Sequence, residues 1–204
     1  MKVGTDGVLL GAWACGGSRV LDVGTGTGVI ALMMAQRYTA AQVTAIDVDG
    51  GAVSQARFNV ERSPFAERVV VLHERVQQHE GCYDAIVSNP PYFIDSLVAP
   101  DSQRSTARHA VTLTYGELMQ AAWRLLSDGG ELSVVVPFDY RRRMEDEATF
   151  VGFFPCRVCA VHTAEHKPAR RYLLSFRKHP CPLAVERLTL GDAAYQSLTQ
   201  DFYL

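Results

Sequence analysis

The sequence predicts an α/β fold: a mostly parallel seven-stranded sheet with helices on both faces and an antiparallel C-terminal strand. Strand-like and helix-like segments alternate along most of the 204-residue chain with short connections. Such alternation is typical of a parallel sheet that helices cover on both faces. The last two strand-like segments follow one another without an intervening helical pattern, which favours antiparallel neighbours.

Short apolar segments rich in β-branched residues are the predicted strands. They cover Arg19–Val23, Gln42–Val48, Arg68–His73, Tyr83–Ser88, Glu131–Pro137, Phe154–Val161 and Arg171–Phe176. Helices are predicted over Gly28–Tyr38, Gly51–Arg62 and Thr114–Leu126, and we expect Asp128-Gly129-Gly130 to stop the last of these. In such sheets ligands bind beyond the carboxyl ends of the strands, where the strand order reverses.

Composition favours one ordinary globular domain over residues 1–204. Hydrophobic residues make up 48% and charged residues 21%, and the formal net charge is −2. Contact with a nucleic acid would therefore need a local basic patch. No signal peptide and no apolar run of membrane-spanning length is evident. Five cysteines without a small-scaffold spacing fit a reducing cytoplasm. We expect a cytoplasmic protein, a monomer, without membrane or metal partners.

A glycine-rich loop follows the first predicted strand, in LDVGTGTGVIAL. Gly24, Gly26 and Gly28 permit positive φ and close approach of the backbone to a ligand. The spacing is G-x-G-x-G rather than the G-x-G-x-x-G of dinucleotide-binding loops. Asp22, two residues upstream, would repel a pyrophosphate and attract an ammonium group. An NAD-dependent oxidoreductase is therefore disfavoured.

Asp47 ends the second predicted strand, at a suitable distance to accept hydrogen bonds from both hydroxyls of a ribose. The ligand that fits combines a ribose, an adenine and a cationic amino-acid end, without phosphate. S-adenosyl-L-methionine has these parts, with S-adenosylhomocysteine as the product after methyl transfer.

The stretch SNPPYF directly follows the fourth predicted strand. Pro90 and Pro91 lack backbone N–H groups and cannot continue a strand, and Asn89 precedes a proline and is therefore extended. The Asn89 side-chain oxygen and the Pro90 carbonyl would be two rigid acceptors for the N–H groups of a conjugated amine. Tyr92 would stack on the planar substrate.

Taken together, DVGTGTG, Asp47 and NPPY resemble the Rossmann-like class I S-adenosylmethionine-dependent methyltransferases that methylate amino groups. MKVGTDGVLLGAW, RSTAR and LTQDFYL narrow the resemblance to the bacterial tRNA1(Val) (adenine-37-N6)-methyltransferase family. It covers essentially the whole chain. Family members usually carry a short additional segment before MKVGTDG, so a substrate-facing edge is expected to be missing here.

The resemblance implies roles for individual residues. Residues 1–17 would be a lid over the cofactor, with Thr5 and Asp6 near its methionine end, and residues 99–113 and 162–171 would be substrate-contacting loops. The implied catalytic residues are Asn89, Pro90, Pro91 and Tyr92. The implied cofactor-binding residues are Thr5, Asp6, Asp22, Gly24, Thr25, Gly26, Gly28, Asp47, Val48, Glu74 and Asn89.

One departure from the family concerns the contact with the cofactor's adenine amine. Related enzymes often have an acidic residue after the third strand, where this chain has Arg75, with Glu74 one place earlier. Either Glu74 or a backbone group serves instead.

Two further motifs are interpreted differently, one as structural and the other as a candidate binding surface. Cys156 and Cys159 have the spacing of half a zinc site, but an odd spacing in a strand separates the side chains, so buried thiols are expected. The EHKPARR segment is basic, and with the arginines after NPPY it would form a phosphate-binding rim. The candidate substrate-binding residues are Tyr92, Arg104, Arg108, Lys167, Arg170 and Arg171.

The expected function is methylation of the exocyclic N6 amine of an adenine in tRNA. Protein-glutamine N5-methylation and rRNA guanine-N2 methylation are alternatives, because the same acceptors suit an amide or a guanine amine. A catalytically silent cofactor-binding partner subunit is the alternative that is not an enzyme.

Overall fold

One mixed sheet of eight strands forms the centre of the computed structural model, which describes residues 4–91 and 113–202. The strands are β1 (Arg19–Val23), β2 (Gln42–Asp47), β3 (Val69–His73), β4 (Tyr83–Ser88), β5 (Leu126–Pro137), β6 (Phe154–His162), β7 (Ala169–Arg177) and β8 (Ala184–Thr189). Within the described ranges the helices are α1 (Thr5–Trp13), α2 (Val29–Arg37), α3 (Gly50–Glu61), α4 (Tyr115–Leu125), α5 (Arg141–Phe150) and α6 (Ala193–Thr199).

The strand order is β3-β2-β1-β4-β5-β7-β6-β8. Strands β1 to β5 pair in parallel, and β7 runs antiparallel to both of its neighbours, β5 and β6. The order reverses between β1 and β4, so the carboxyl ends of β1, β2 and β4 meet at the switch point. The predicted mostly parallel sheet with an antiparallel C-terminal strand is confirmed.

Helices cover both faces of the sheet, as predicted. The two faces of the sheet pack in two separate apolar clusters. Val20 and Leu21 are successive residues of β1 on opposite faces, and Val20 belongs to one cluster and Leu21 to the other. Helices α1, α2 and α3 contribute to the Val20 cluster, and α4 and α5 contribute to the Leu21 cluster. The thiols of Cys156 and Cys159 are buried, as expected.

The strand count differs from the sequence prediction. The eighth strand, Ala184–Thr189, pairs in parallel with β6 at the edge of the sheet. Only Leu188 is buried along it, so the strand lacks the alternation of apolar and polar residues that predicts a half-buried strand.

The predicted stop of α4 is also corrected. The helix ends at Leu125, and Leu126 already pairs with Tyr83 of β4. Pairing then resumes between Glu131 and Ala85, with a register shift between the two pairs. The Asp128-Gly129-Gly130 segment therefore lies inside β5 as an irregularity, rather than at a helix terminus.

The first helix is an element that the sequence analysis did not assign. Residues Val8 to Trp13 of α1 are all buried. An evenly buried helix has no polar face, so its periodicity is weak. No helix in the described part of the chain is long and apolar enough to cross a membrane.

Candidate active site

The backbone conformation of the loop between β1 and α2 explains the spacing of its three glycines. Gly24, Gly26 and Gly28 all have positive φ, at 70°, 57° and 82°. Side chains with a Cβ rarely adopt this conformation. A Cβ added at Gly24 would meet no atom within 4 Å, so the backbone there is open to a ligand.

Backbone hydrogen bonds tie this loop to the end of β2. The Gly24 and Thr25 N–H groups both donate to the carbonyl oxygen of Ile46, at 2.9 and 3.0 Å. The Gly26 N–H donates to Asp47 Oδ2 at 2.9 Å. Asp47 Oδ1 accepts from the N–H of Asp49, also at 2.9 Å. Asp47 is half-buried, so its carboxylate is fixed in orientation at the edge where ligands bind.

Asp22 is fully buried beneath the loop. Its Oδ2 accepts from the Thr25 hydroxyl at 2.6 Å and from the Ala31 N–H at 3.1 Å. Oδ1 is buried and has no hydrogen-bond partner among the described residues. Burial raises the pKa of Asp22 to about 7, while the two hydrogen bonds act in the opposite direction. A cationic group at this site would favour the ionised carboxylate.

Asn89 directly follows β4, where the paired strands bring it next to the glycine loop. Val23, the last residue of β1, pairs with Ile46 of β2 on one side and Ser88 of β4 on the other. The buried Ser88 hydroxyl donates to the Val23 carbonyl at 2.8 Å and joins the two strand ends. Asn89 is half-buried, Pro90 is buried and Pro91 is exposed. Sequence reasoning missed the role of Ser88, because a serine at a strand end carries no specific pattern.

The first turn of α1 reaches the same edge. Thr5 begins the helix, and the Asp6 carboxylate accepts from Nε of Arg171 at 2.8 Å. Arg171 pairs with Pro137, the last residue of β5. The two residues implied for different ligands, Asp6 for cofactor and Arg171 for substrate, thus form an ion pair with each other.

Glu74 follows β3, and its N–H donates to the carbonyl oxygen of Asp47 at 3.0 Å. Its carboxylate lies 2.9 Å from Nδ1 of the buried His79, whose Nε2 lies 2.7 Å from the Tyr83 hydroxyl. Glu74 is therefore beside Asp47, with one carboxylate oxygen already engaged. Val48 is half-buried, and its carbonyl oxygen lies 2.9 Å from Nε2 of His73.

The candidate substrate-binding residues divide into two groups. Lys167 and Arg170 are exposed, in the connection from β6 to β7 and at the start of β7. Arg170 and Arg171 belong to β7 rather than to the basic loop that the sequence suggested. Tyr92, Arg104, Arg108 and residues 99–112 lie outside the described residues.

The described residues fit S-adenosylmethionine at this edge. The open glycine backbone allows close approach of the ligand, the buried Asp22 Oδ1 offers an acceptor that lacks a donor, and Asp47 offers carboxylate oxygens. The set contains carboxylates rather than an anion-binding arrangement, which suits a cationic ligand without phosphates.

Comparison with known proteins identifies the family. The model of the methyltransferase small domain family matches residues 8–151. A Bacteroides fragilis protein named tRNA1(Val) (adenine(37)-N6)-methyltransferase is 45% identical, over 100% of this chain and 91% of its own. A Serratia proteamaculans protein of the same name is 40% identical, over 100% of this chain and 84% of its own.

Solved structures agree on the fold. A protein from Agrobacterium tumefaciens, described as a predicted O-methyltransferase, superimposes with a TM-score of 0.76 at 18% identity and covers 96% of each chain. The glycopeptide N-methyltransferase MtfA, in complex with S-adenosylmethionine, gives 0.63 at 9% identity, over 85% of this chain and 95% of its own.

Site geometry, fold and relatives agree: the cofactor is S-adenosylmethionine, and the chain belongs to the methyltransferase small domain family and, within it, to the family of tRNA1(Val) (adenine(37)-N6)-methyltransferases.

Proposed function

We propose that this protein transfers a methyl group from S-adenosylmethionine to the exocyclic N6 amine of an adenine in tRNA, at position 37 of tRNA1(Val). The names of relatives at 40–45% identity support this substrate. We also infer that the protein acts as a cytoplasmic monomer, and that residues 1–17 and the 99–113 and 162–171 segments face the ligands.

The observation that carries the proposal is the strand pairing at the switch point. Val23 lies between Ile46 and Ser88 in the sheet, and neighbouring strands lie about 4.8 Å apart. The Asp47 carboxylate at the end of β2 and the Asn89 carboxamide after β4 therefore flank the glycine loop on its two sides. A ribose held at Asp47 and an amine held at Asn89 would face each other across that loop.

Asn89 and Pro90 would activate the amine. When bound, the cofactor supplies a methyl group on a positively charged sulfur. The adenine N6 lone pair is delocalised into the ring, so the amine is a weak nucleophile. Acceptance of its two N–H groups by Asn89 Oδ1 and the Pro90 carbonyl oxygen would stabilise the positive charge that develops on nitrogen.

In the proposed reaction one bond to the methyl carbon forms and one breaks. The nitrogen–carbon bond forms as the carbon–sulfur bond breaks, and the bonding pair stays on sulfur. The nitrogen then loses a proton to water. S-adenosylhomocysteine and the N6-methylated adenine are the products, and Tyr92 would hold the base by stacking during the transfer.

The test is transfer of a labelled methyl group from S-adenosylmethionine to total tRNA and, separately, to rRNA and to a protein extract. We expect the label in tRNA. Label in protein glutamine would support the N5-methyltransferase alternative, and label in rRNA guanine would support the N2 alternative. No transfer to any of these substrates would support the silent partner subunit.

A further inference from the structure

An open cleft of about 700 Å³ lies beyond the carboxyl end of β5, outside the set of residues assigned above to cofactor and catalysis. It is lined by Phe138, Asp139, Arg141, Arg142, Glu145, Asp146 and Tyr172. β5 is the neighbour of β4, and Ser88 pairs with Val134. The cleft therefore opens at the same edge of the sheet as Asn89.

Two aromatic rings form the wall of this cleft. The ring of Phe138 lies 6.0 Å from that of Tyr172, at an interplanar angle of 35°. The Arg141 guanidinium covers the Tyr172 ring at 4.4 Å. Phe138 itself is 51% exposed, directly after Pro137, which ends the strand. A large aromatic ring held in the open in this way offers a stacking surface.

The polar lining of the cleft carries more negative than positive charge. Three carboxylates, those of Asp139, Glu145 and Asp146, face two guanidinium groups. Arg141 already pairs with Glu145 at 2.9 Å, and Arg142 lies 3.9 Å from Asp146. Within residues 4–91 and 113–202, Asp139 makes no hydrogen bond or ion pair. A phosphate would be repelled by this lining, whereas a planar group with N–H donors on its edge would be attracted.

We propose that this cleft binds a base a few nucleotides from the target adenine in the RNA, stacked on Phe138 and with an exocyclic amine directed to the carboxylates. The inference rests on the proposed function, because it assumes an RNA substrate at Asn89. Carboxylates accept from base amines such as N4 of cytosine, and single-stranded bases stack on exposed aromatic side chains.

The distance between Asn89 and Phe138 suits a nucleotide a few positions from the target. Phe138 is four residues beyond Val134, the partner of Ser88, and Asn89 is one residue beyond Ser88. At about 3.3 Å per residue, Phe138 therefore lies roughly 10 Å further out than Asn89. Stacked nucleotides advance about 3.4 Å each, so this separation corresponds to about three stacked nucleotides from the target.

The test compares Phe138→Ala and Phe138→Leu with a matched control, Phe150→Ala. Phe150 is 83% exposed at the far end of α5 and does not line the cleft. Leucine keeps an apolar contact with Tyr172 and has no aromatic face, so it separates stacking from folding. We expect both Phe138 variants to raise KM for tRNA about 5- to 150-fold, which corresponds to about 1–3 kcal/mol per stacked base. Affinity for S-adenosylmethionine should stay unchanged, and Phe150→Ala should resemble the wild type.

A second measurement identifies the partner of Phe138. The substrates are a set of synthetic stem-loop RNAs. Each RNA carries one abasic site, at a different nucleotide flanking the target adenine. One of them should weaken binding to the wild-type protein and have little further effect on Phe138→Leu, because the two changes remove the same contact. Fully additive effects at every position, or a KM for Phe138→Leu equal to that of Phe150→Ala, would overturn the proposal. Failure of the wild-type protein to methylate any tRNA would instead overturn the proposed function.

Substitution of Asp139 tests whether its carboxylate accepts a hydrogen bond from the exocyclic amine of the base. Replacement of the identified base by an analogue without its exocyclic amine should weaken binding to the wild-type protein, and Asp139→Ala should remove that preference. Equal discrimination by the wild-type protein and Asp139→Ala would show that this carboxylate does not contact the base.

Discussion

The Asp47 carboxylate accepts a hydrogen bond from the Gly26 N–H at 2.9 Å. This contact joins the end of β2 to the middle of the glycine loop, 21 residues earlier in the chain. The residue expected to hold the ribose thus also holds the loop that approaches the cofactor. We therefore expect cofactor affinity and loop geometry to be coupled through this side chain.

Replacement of Asp47 by alanine should weaken S-adenosylmethionine binding by a few kcal/mol, since ribose hydroxyls lose a charged acceptor and the loop loses an anchor. Isothermal titration calorimetry measures this change. Asp49→Ala is the control, because Asp49 caps α3 by accepting from the Ala52 N–H at 2.7 Å. It should cost about 1 kcal/mol of stability and leave cofactor affinity unchanged. Unchanged affinity in Asp47→Ala would exclude the ribose contact.

Asp22 should make both stability and cofactor binding depend on pH. Burial raises its pKa in the folded protein from the ordinary value of 3.8 to about 7, so the folded state binds the proton more tightly than the unfolded state. The free energy of unfolding of the cofactor-free protein should therefore fall as pH rises from about 4 to about 7, and level off above that range.

Binding of the cationic cofactor should release this proton. Its affinity should consequently increase with pH up to about 7, with proton release detectable by calorimetry in buffers of different ionisation enthalpy. Asp22→Asn should abolish both effects. An affinity that is independent of pH between 5 and 8 in the wild type would contradict this role.

Asn89→Ala should abolish turnover while S-adenosylmethionine binding stays mostly intact. We expect the carboxamide oxygen to act mainly when charge develops on the substrate nitrogen, so its loss should lower kcat more than cofactor affinity. Single-turnover kinetics with saturating cofactor measure the effect. Near-normal turnover would remove Asn89 from the mechanism.

Glu74→Ala distinguishes the two candidates for the contact with the adenine amine. If the carboxylate accepts from that amine, the variant should bind S-adenosylhomocysteine more weakly and no longer distinguish it from the inosine analogue, which lacks the amine. If a backbone group serves, discrimination should persist in the variant. His79→Ala is informative beside it, because His79 lies 2.9 Å from the Glu74 carboxylate and would affect its orientation.

Joint neutralisation of Arg104 and Arg108 should raise KM for tRNA and flatten the salt dependence of binding, by about 0.7 in log–log slope per lost phosphate contact on a single strand. Affinity for S-adenosylmethionine should not change. Arg62→Gln is a suitable control, because Arg62 is engaged with the Phe58 ring on the far end of α3. Binding that is insensitive to salt and to both arginines would argue against an RNA substrate.

Local patterns in the sequence predicted the seven strands from β1 to β7, since each is a short apolar segment bounded by turn residues. The glycine spacing predicted the loop, and all three glycines do have positive φ. Features that depend on distant pairing could not be predicted. Phe138 faces Tyr172 only because β5 and β7 pair antiparallel, with Pro137 opposite Arg171. The Asp6–Arg171 ion pair joins residues 165 positions apart, because α1 packs against β7.

The most direct test of the proposed reaction is mass spectrometry of nucleosides from tRNA after incubation with the purified protein and S-adenosylmethionine that carries a deuterated methyl group. We predict deuterated N6-methyladenosine with the wild-type protein and none with Asn89→Ala. A deuterated methyl group on guanine N2, or no labelled nucleoside in tRNA, would contradict the proposed reaction.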